Sequence, residues 1–312
     1  MDNLLMDNLM KRSYDPPLSI ETLQSPEWTG QQVRTDVLRL DKIHPVVSGN
    51  KWWKLKEYLQ LACEGGKGPL ITFGGAWSNH IAATAYAARA AGLQAIGIIR
   101  GERPHPLSDT LQSALDHGML LEFISREEYK KKNDPAFLER LSARWPKASI
   151  IPEGGAGKPG IQGSAGILHS VNKADYSHIL CAIGTGTMYW GLADAALPGQ
   201  VAMGIPVLKG MDGFLQKGYG GLMDPSKLAG CRIDPHYHFG GYARKTTELL
   251  DFMNQFYRAT GIPSDFVYTG KLFYAVRELI HKGFFPEGSR LLLIHSGGLQ
   301  GNRSLPAGLL DF

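Results

Sequence analysis

The sequence predicts an α/β protein of two domains, each built on an open, twisted sheet of parallel strands. Short apolar runs alternate with stretches of helical length along most of the chain, which is typical of parallel sheets covered by helices. Strands such as Ile96–Ile99 are wholly apolar, as in a sheet buried on both faces. With 312 residues, the chain is also about twice the length of an ordinary domain.

Strands and helices alternate regularly up to Gly154-Gly155, after an irregular, proline-containing stretch at Tyr14–Gly30. The strands predicted in this part are Val33–Leu40, Leu70–Phe73, Ala95–Ile99, Leu120–Ile124 and Ser149–Ile151. The helices predicted between them are Trp52–Cys63, Asn79–Ala91, Asp109–Asp116 and Pro135–Trp145.

A second series follows the two glycines. Its predicted strands are His178–Ala182, Val201–Ile205 and Leu291–His295, and its predicted helices are Gly160–Val171, Met188–Ala195, Thr246–Thr260 and Lys271–Lys282. We therefore expect a smaller domain, residues 53–155, inserted in a larger domain of residues 1–52 and 156–312. The cleft between the two domains is the expected ligand site.

Composition excludes several classes of protein. The net charge of +4 is too small to indicate nucleic-acid binding, and no apolar stretch approaches the roughly 20 residues that cross a bilayer. Three widely spaced cysteines fit a reducing compartment, and the segment from Met1 lacks the apolar core of a signal peptide, so we expect a cytoplasmic protein. The pair His236 and His238 lacks the further ligands of a metal site, and no metal is expected.

Lys51 follows Ser48-Gly49-Asn50, at the predicted start of a helix. Asn50 is a residue type that caps helices, so Lys51 would project from a fixed position. An amine held in a partly dry site can lose its proton and act as a nucleophile. The alternative is that Lys51 is one of several solvated lysines on the helix.

The segment Gly184-Thr185-Gly186-Thr187 lies between a predicted strand and a predicted helix. Glycines expose backbone amides, the helix N-terminus is partly positive, and threonine hydroxyls add hydrogen bonds, so the segment could bind a phosphate. A purely structural turn would use the same residues. The segment is neither a Walker A motif nor a GxGxxG fingerprint.

Ser78-Asn79-His80 also lies at a strand-to-helix turn. Ser78 could simply cap the helix, whereas Asn79 and the free amides could bind a ligand oxygen or a carboxylate. Tyr242 and Tyr268 precede later helices; such tyrosines are usually packing residues, but loops at strand ends often carry chemistry in open α/β sheets.

Together these motifs resemble the tryptophan-synthase-β-like enzymes that use pyridoxal 5′-phosphate (PLP). Within that group they resemble the branch of 1-aminocyclopropane-1-carboxylate (ACC) deaminase and D-cysteine desulfhydrase, over about residues 15–300. The shared motifs, in order, are Gly49-Asn50-Lys51 with Lys54, Ser78-Asn79-His80, Pro152-x-Gly154-Gly155, Gly184–Thr187 and Val267–Lys271.

The resemblance implies that Lys51 binds PLP covalently, that Asn79 hydrogen-bonds the ring hydroxyl of PLP, and that Gly184, Thr185, Gly186 and Thr187 bind its phosphate. Ser78, Asn79 and His80 would face the substrate carboxylate, and Tyr242 and Tyr268 would stand near the substrate. Thr269 or Ser296 would approach the pyridine nitrogen. Catalytic roles fall to Lys51, Ser78, Tyr242 and Tyr268, and relatives in this family imply a homodimer.

The sequence departs from ACC deaminases at two of these positions. Those enzymes carry Glu where Thr269 follows Tyr268, and Gln where His80 follows Asn79. A hydroxyl does not keep the pyridine nitrogen protonated as a carboxylate does, so the ring is a weaker electron sink, which favours β-elimination. We therefore predict a PLP-dependent lyase, with hydrolase as a second enzyme class, that converts D-cysteine to pyruvate, ammonia and sulfide. ACC deaminase and a non-catalytic binder of phosphorylated metabolites are the alternatives.

Overall fold

The computed structural model describes residues 18–218 and 225–312, which form two compact units. Lys51–Gly163 forms one of them, here called the inserted unit, and residues 18–50 together with the described residues of Ser164–Phe312 form the other, the flanking unit. The predicted absence of a signal peptide concerns residues that lie outside the described ones. Whether the predicted domains, 53–155 within 1–52 and 156–312, act as functional domains stays a prediction.

The regular elements follow the predicted alternation. Among the described residues the strands are β1 (Ile20–Leu23), β2 (Arg34–Arg39), β3 (Leu70–Gly74), β4 (Ala95–Arg100), β5 (Leu120–Ile124), β6 (Ser149–Ile151), β7 (His178–Ile183), β8 (Val201–Pro206), β9 (Cys231–Ile233) and β10 (Arg290–His295). The longer helices are Asn50–Glu64, Asn79–Ala90, Asp109–Asp116, Pro135–Arg144, Lys158–His169, Thr187–Ala195, Thr247–Thr260 and Thr269–His281, and the short ones are Pro26–Thr29, Arg126–Tyr129 and Phe214–Lys217. No helix in this part of the chain is long and apolar enough to cross a membrane.

The inserted unit contains a fully parallel sheet in the order β5-β4-β3-β6. The Asn79–Ala90 helix packs on β3 and β4, and its alanines, among them Ala83 and Ala87, are wholly buried. Small side chains allow this close approach of helix to sheet. These alanines therefore belong to the core of the inserted unit.

The flanking unit contains a sheet in the order β1-β2-β10-β7-β8-β9. From β2 to β9 each pair of neighbours is parallel, and the central strand β10 is buried from Leu291 to Ile294. Because β7 and β10 are parallel neighbours, Gly184 and Ser296, which follow them, lie at the same edge of the sheet. Ligands of open α/β sheets bind at this carboxyl edge.

The predicted parallel α/β fold is confirmed, with two local differences. Tyr14–Gly30 is not irregular throughout, because β1 pairs antiparallel with β2 and the Pro26–Thr29 turn buries Trp28. The apolar character of these short segments was masked by the neighbouring prolines. The helix that carries Lys51 begins at Asn50, which therefore lies in the helix and not before it.

Candidate active site

The segment before Lys51 is packed tightly against the end of β10. Gly49 has a left-handed φ of +65°, and a Cβ at this position would lie 1.9 Å from the backbone oxygen of Ser296. The amide of Asn50 donates a hydrogen bond of 3.1 Å to that same oxygen. Only glycine fits this approach, which fixes the start of the helix on which Lys51 is the next, half-buried residue.

The turn at Ser78-Asn79 keeps its side chains available for a ligand. Ser78 occupies the N-cap position of the Asn79–Ala90 helix, but its hydroxyl makes no capping hydrogen bond. Ser78 therefore caps the helix by position, but the side-chain hydrogen bond expected of a cap is not made. Oδ1 of Asn79 is buried and has no hydrogen-bond partner among the described residues. A buried polar atom of this kind indicates a missing partner, because leaving it unsatisfied costs stability.

His80 is held in a defined tautomer. Its Nε2 lies 2.8 Å from Oγ1 of Thr72, and that hydroxyl donates its one proton to the backbone oxygen of Ile151 at 2.9 Å. Thr72 must then accept from His80, so Nε2 carries the proton and Nδ1 is a lone-pair acceptor. Nδ1 is buried and has no partner among the described residues.

The surroundings of His80 keep its ring neutral. Its pKa is well below the ordinary value of 6.5, first because the ring is buried and then because Lys51 and Lys54 are positively charged. A neutral imidazole that offers a lone pair does not attract an anion. If a carboxylate binds at this turn, its donors are the hydroxyl of Ser78 and the first amides of the helix, which have no partner within the helix.

We expect the stability of the protein to depend on pH through His80. Below pH 6.5, His80 is protonated in the unfolded state but stays neutral in the folded state, where its pKa is lower. The free energy of unfolding therefore falls as the pH decreases, by at most about 1.4 kcal/mol per pH unit. Urea unfolding of the PLP-saturated protein between pH 7.5 and 5.5 should show a smaller fall for His80→Gln than for wild type. His169→Gln, at an exposed position, is the control and should keep the wild-type slope. An equal fall in His80→Gln would contradict the neutral assignment.

The flanking unit places the glycine–threonine segment at the carboxyl end of β7. Gly186 has a left-handed φ of +85° and directly precedes the Thr187–Ala195 helix. The hydroxyls of Thr185 and Thr187 lie 3.0 Å apart, and Thr187 is wholly buried. The backbone here turns as an anion site requires, with the helix N-terminus behind it.

Tyr268 lies beside this segment in the same unit, and Tyr242 contacts Tyr268. A Cβ at position 184 would lie 3.0 Å from Cε1 of Tyr268, so the tyrosine ring packs against Gly184. The ring of Tyr242 meets Tyr268 edge-on, with 6.1 Å between centroids, and Tyr242 is 49% exposed. Tertiary structure thus brings together three candidate positions that are separated by up to 84 residues in the sequence.

Asp265 is a residue of this region that sequence reasoning missed. Its wholly buried carboxylate accepts hydrogen bonds from the amides of Val267, Tyr268 and Thr269, at 3.0, 2.9 and 2.9 Å, and from the Thr269 hydroxyl at 2.8 Å. It fixes the backbone that carries Tyr268 and the start of the Thr269–His281 helix. An acidic residue just before a predicted helix was the available signal.

The two candidates for the pyridine nitrogen differ in their hydrogen bonding. The hydroxyl of Thr269 donates its hydrogen bond to the Asp265 carboxylate and accepts one from the Asp265 amide, both at 2.8 Å. Ser296 is largely buried at the end of β10, and its hydroxyl makes no hydrogen bond to any described residue. Only Ser296 therefore has an uncommitted hydroxyl.

Comparisons with known proteins identify the family of the chain. No protein-family model matches the chain. It is 31% identical over 273 residues to a Pyrococcus abyssi protein provisionally named an ACC deaminase, covering 82% of this chain and 81% of that one. The chain belongs to the PLP-dependent ACC deaminase and D-cysteine desulfhydrase family.

Two further relatives of the family are informative. An Arabidopsis thaliana protein named as a bifunctional, mitochondrial D-cysteine desulfhydrase and ACC deaminase is 29% identical, with coverage of 82% of this chain and 70% of that protein. A crystal structure of an ACC deaminase homologue has a TM-score of 0.76 and 26% identity, covering 94% of this chain and 92% of that one. These names support a lyase or deaminase, and the predicted class hydrolase finds no support in them.

The residues present fit the PLP of this family. Asn79 has a buried acceptor without a partner, and Gly186 gives the left-handed turn at the start of a helix that a phosphate site needs. The chain is thus a PLP-dependent enzyme, and enzymes of this family act on small amino acids.

Proposed function

We propose that the chain catalyses α,β-elimination of D-cysteine, in which D-cysteine and water give pyruvate, ammonia and hydrogen sulfide. The observation that carries this proposal is that Thr269, and not a carboxylate, follows Tyr268. Thr269 places a hydroxyl after Tyr268 where the resemblance implies glutamate in ACC deaminases, and that hydroxyl is already bound to Asp265. No carboxylate follows Tyr268, so the weaker electron sink supports elimination over ring opening.

Each candidate residue has a proposed task. Lys51 would hold PLP covalently, and its amine is the proposed base for the proton at Cα of the substrate. Asn79 would hydrogen-bond the ring hydroxyl through its side-chain amide, Gly184–Thr187 would bind the phosphate, and Ser296 would meet the pyridine nitrogen. PLP held by these residues would supply an electron sink for the carbanion at Cα.

The substrate is oriented by the turn that begins the Asn79–Ala90 helix. The hydroxyl of Ser78 makes no capping bond, so it can donate to the substrate carboxylate together with the amides of Asn79 and His80. Tyr242 and Tyr268 are the proposed donors of a proton to the departing thiolate. Tyr268 packs against Gly184, and the ring of Tyr242 meets that of Tyr268 edge-on.

ACC deamination is the second candidate function. The relatives' names support it as strongly as desulfhydration, since one of them states both activities. In that reaction ACC and water give 2-oxobutyrate and ammonia, and a ring bond of the substrate breaks in place of the bond to sulfur.

A substrate screen with purified, PLP-saturated enzyme tests the proposal. D-Cysteine, L-cysteine and ACC are supplied separately, and pyruvate, sulfide and 2-oxobutyrate are measured together. We expect pyruvate and sulfide in equal amounts from D-cysteine and at least tenfold less from L-cysteine, a difference of about 1.4 kcal/mol in the transition state. Release of 2-oxobutyrate alone would establish the second candidate. Bound PLP with no keto acid from any of the three would favour a non-catalytic binder.

We further propose that the inserted and flanking units are the predicted smaller and larger domains, and that the enzyme is a cytoplasmic homodimer. The cysteines Cys63, Cys181 and Cys231 support a reducing compartment, because none of them forms a disulfide among the described residues. Light scattering of the purified protein tests the dimer.

A further inference from the structure

Lys271 is a buried lysine that has no role in the proposed elimination reaction. It lies on the Thr269–His281 helix and is wholly inaccessible to solvent. Its Nζ donates hydrogen bonds to the backbone oxygens of His238, at 2.9 Å, and Gly241, at 2.8 Å. Burial lowers the pKa of Lys271 to about 8, against the opposing charge of Asp265. Both the charged and the neutral amine have at least two N–H donors for these two carbonyls.

The segment held by Lys271 has an unusual backbone. Phe239, Gly240, Gly241 and Ala243 all have left-handed φ, of 50°, 87°, 114° and 52°. Two of these residues carry a Cβ, for which this region is disfavoured. Such a conformation persists only where surrounding contacts fix it, and it is common at functional sites.

Two kinds of contact act alongside Lys271: the edge-on packing of Phe239 on Tyr274, with 4.9 Å between ring centroids, and short-range hydrogen bonds within the segment. The amide of Gly241 donates to His238 at 3.0 Å, and the amide of Arg244 donates to Gly241 at 3.2 Å. Lys271, on the Thr269–His281 helix outside this segment, donates hydrogen bonds to the same two oxygens. It thus joins both ends of the turn to the Thr269–His281 helix, whose first residues are anchored by Asp265.

Tyr242 directly follows the second carbonyl bound by Lys271. Its ring meets Tyr268 edge-on, and Tyr268 packs on Gly184. Tyr242 is 49% exposed, so this contact covers only part of its ring. The backbone that carries Tyr242 therefore also contributes to the direction of the ring.

We propose that Lys271 is a positioning residue that clamps residues 238–243 and thereby sets the direction of Tyr242 against Tyr268. The importance of this direction for turnover rests on the proposed function, in which Tyr242 stands near the substrate. The clamp itself does not rest on it, because the two hydrogen bonds and the backbone geometry are independent of any ligand.

Hydrogen exchange and kinetics of the holoenzyme test the clamp. Lys271→Met removes the donors and keeps an unbranched side chain, and Lys271→Arg restores donors. Lys227→Met is the matched control, since Lys227 also donates to two backbone oxygens, those of Asp194 and Ala196, outside this region. We expect amide exchange in 238–243 to accelerate at least tenfold in Lys271→Met, to recover in part in Lys271→Arg, and to match wild type in Lys227→Met.

Wild-type exchange in Lys271→Met would overturn the clamp. If Lys271→Met fails to fold, Lys271→Gln replaces it with the same criteria.

A double-mutant cycle tests the action through Tyr242. Lys271→Met should lower kcat about tenfold with little change in KM, and should add less than twofold to the loss caused by Tyr242→Phe. Full additivity of the two losses would overturn the action through Tyr242. A wild-type enzyme that turns over neither D-cysteine nor ACC would refute the proposed function, while the exchange result would still decide the clamp.

Discussion

Replacing Lys51 by alanine is expected to abolish the visible absorption of lysine-bound PLP and the turnover of amino-acid substrate together. The covalent attachment needs the amine, and the loss of its proton transfer alone lowers the rate by roughly 10²–10⁴-fold. Absorbance spectra of the purified protein and keto-acid release from D-cysteine and ACC measure the two effects. Lys51→Arg should fail in the same way, because a guanidinium keeps the charge but does not form the linkage.

The control for this prediction is Lys67→Ala. Lys67 is exposed and lies just after the end of the helix that carries Lys51, so both the spectrum and the rate should match wild type. Circular dichroism of each variant shows that the fold is kept. An unchanged absorption band in Lys51→Ala would show that another residue binds PLP.

Gly186→Ala is expected to weaken PLP binding by at least tenfold. The left-handed φ of +85° costs an alanine roughly 1–2 kcal/mol, and its Cβ would lie 2.6 Å from Cζ of Phe214. That ring is stacked on Trp190 at 5.1 Å and cannot move away without breaking the stack. Because a loss of 1.4 kcal/mol is tenfold in affinity, distortion of the turn should be visible in a PLP titration.

Gly199→Ala separates the effect of the site from that of backbone strain. Gly199 has a nearly equal φ of +87°, and a Cβ there would have nothing within 4 Å. Gly199→Ala should lower the free energy of unfolding by a similar amount, because alanine is strained at this φ as well. It should leave the affinity for PLP within twofold of wild type. Equal losses of affinity in both variants would mean that Gly184–Thr187 do not bind the phosphate.

The fold was predictable from local patterns. Local periodicity and composition identify such segments. Examples are the buried apolar strand Ile96–Ile99 and the alanine-rich helix that begins at Asn79. The short strand Ile20–Leu23 was not predictable, because four residues between prolines carry too little periodic signal. Its pairing with Arg34–Arg39 supplies the stabilisation that the segment itself lacks.

The candidate residues were predictable as types, because Lys51, Asn79 and Gly186 stand at turns next to strands or helices. Their hydrogen bonding was not predictable. These hydrogen bonds join residues up to 33 positions apart in the sequence. Thr269 donates to Asp265, Thr72 fixes the tautomer of His80, and Lys271 binds the backbone of His238 and Gly241.

The sequence by itself therefore determined the α/β class, the PLP family and the positions where chemistry is possible. These depend on local periodicity and on short motifs, which each segment carries alone. Tertiary structure alone decided which hydroxyl is uncommitted, which imidazole nitrogen holds the proton and which backbone is clamped. The physical reason is that a donor or acceptor acquires its state from the partner that folding brings to it, and that partner is distant in the chain.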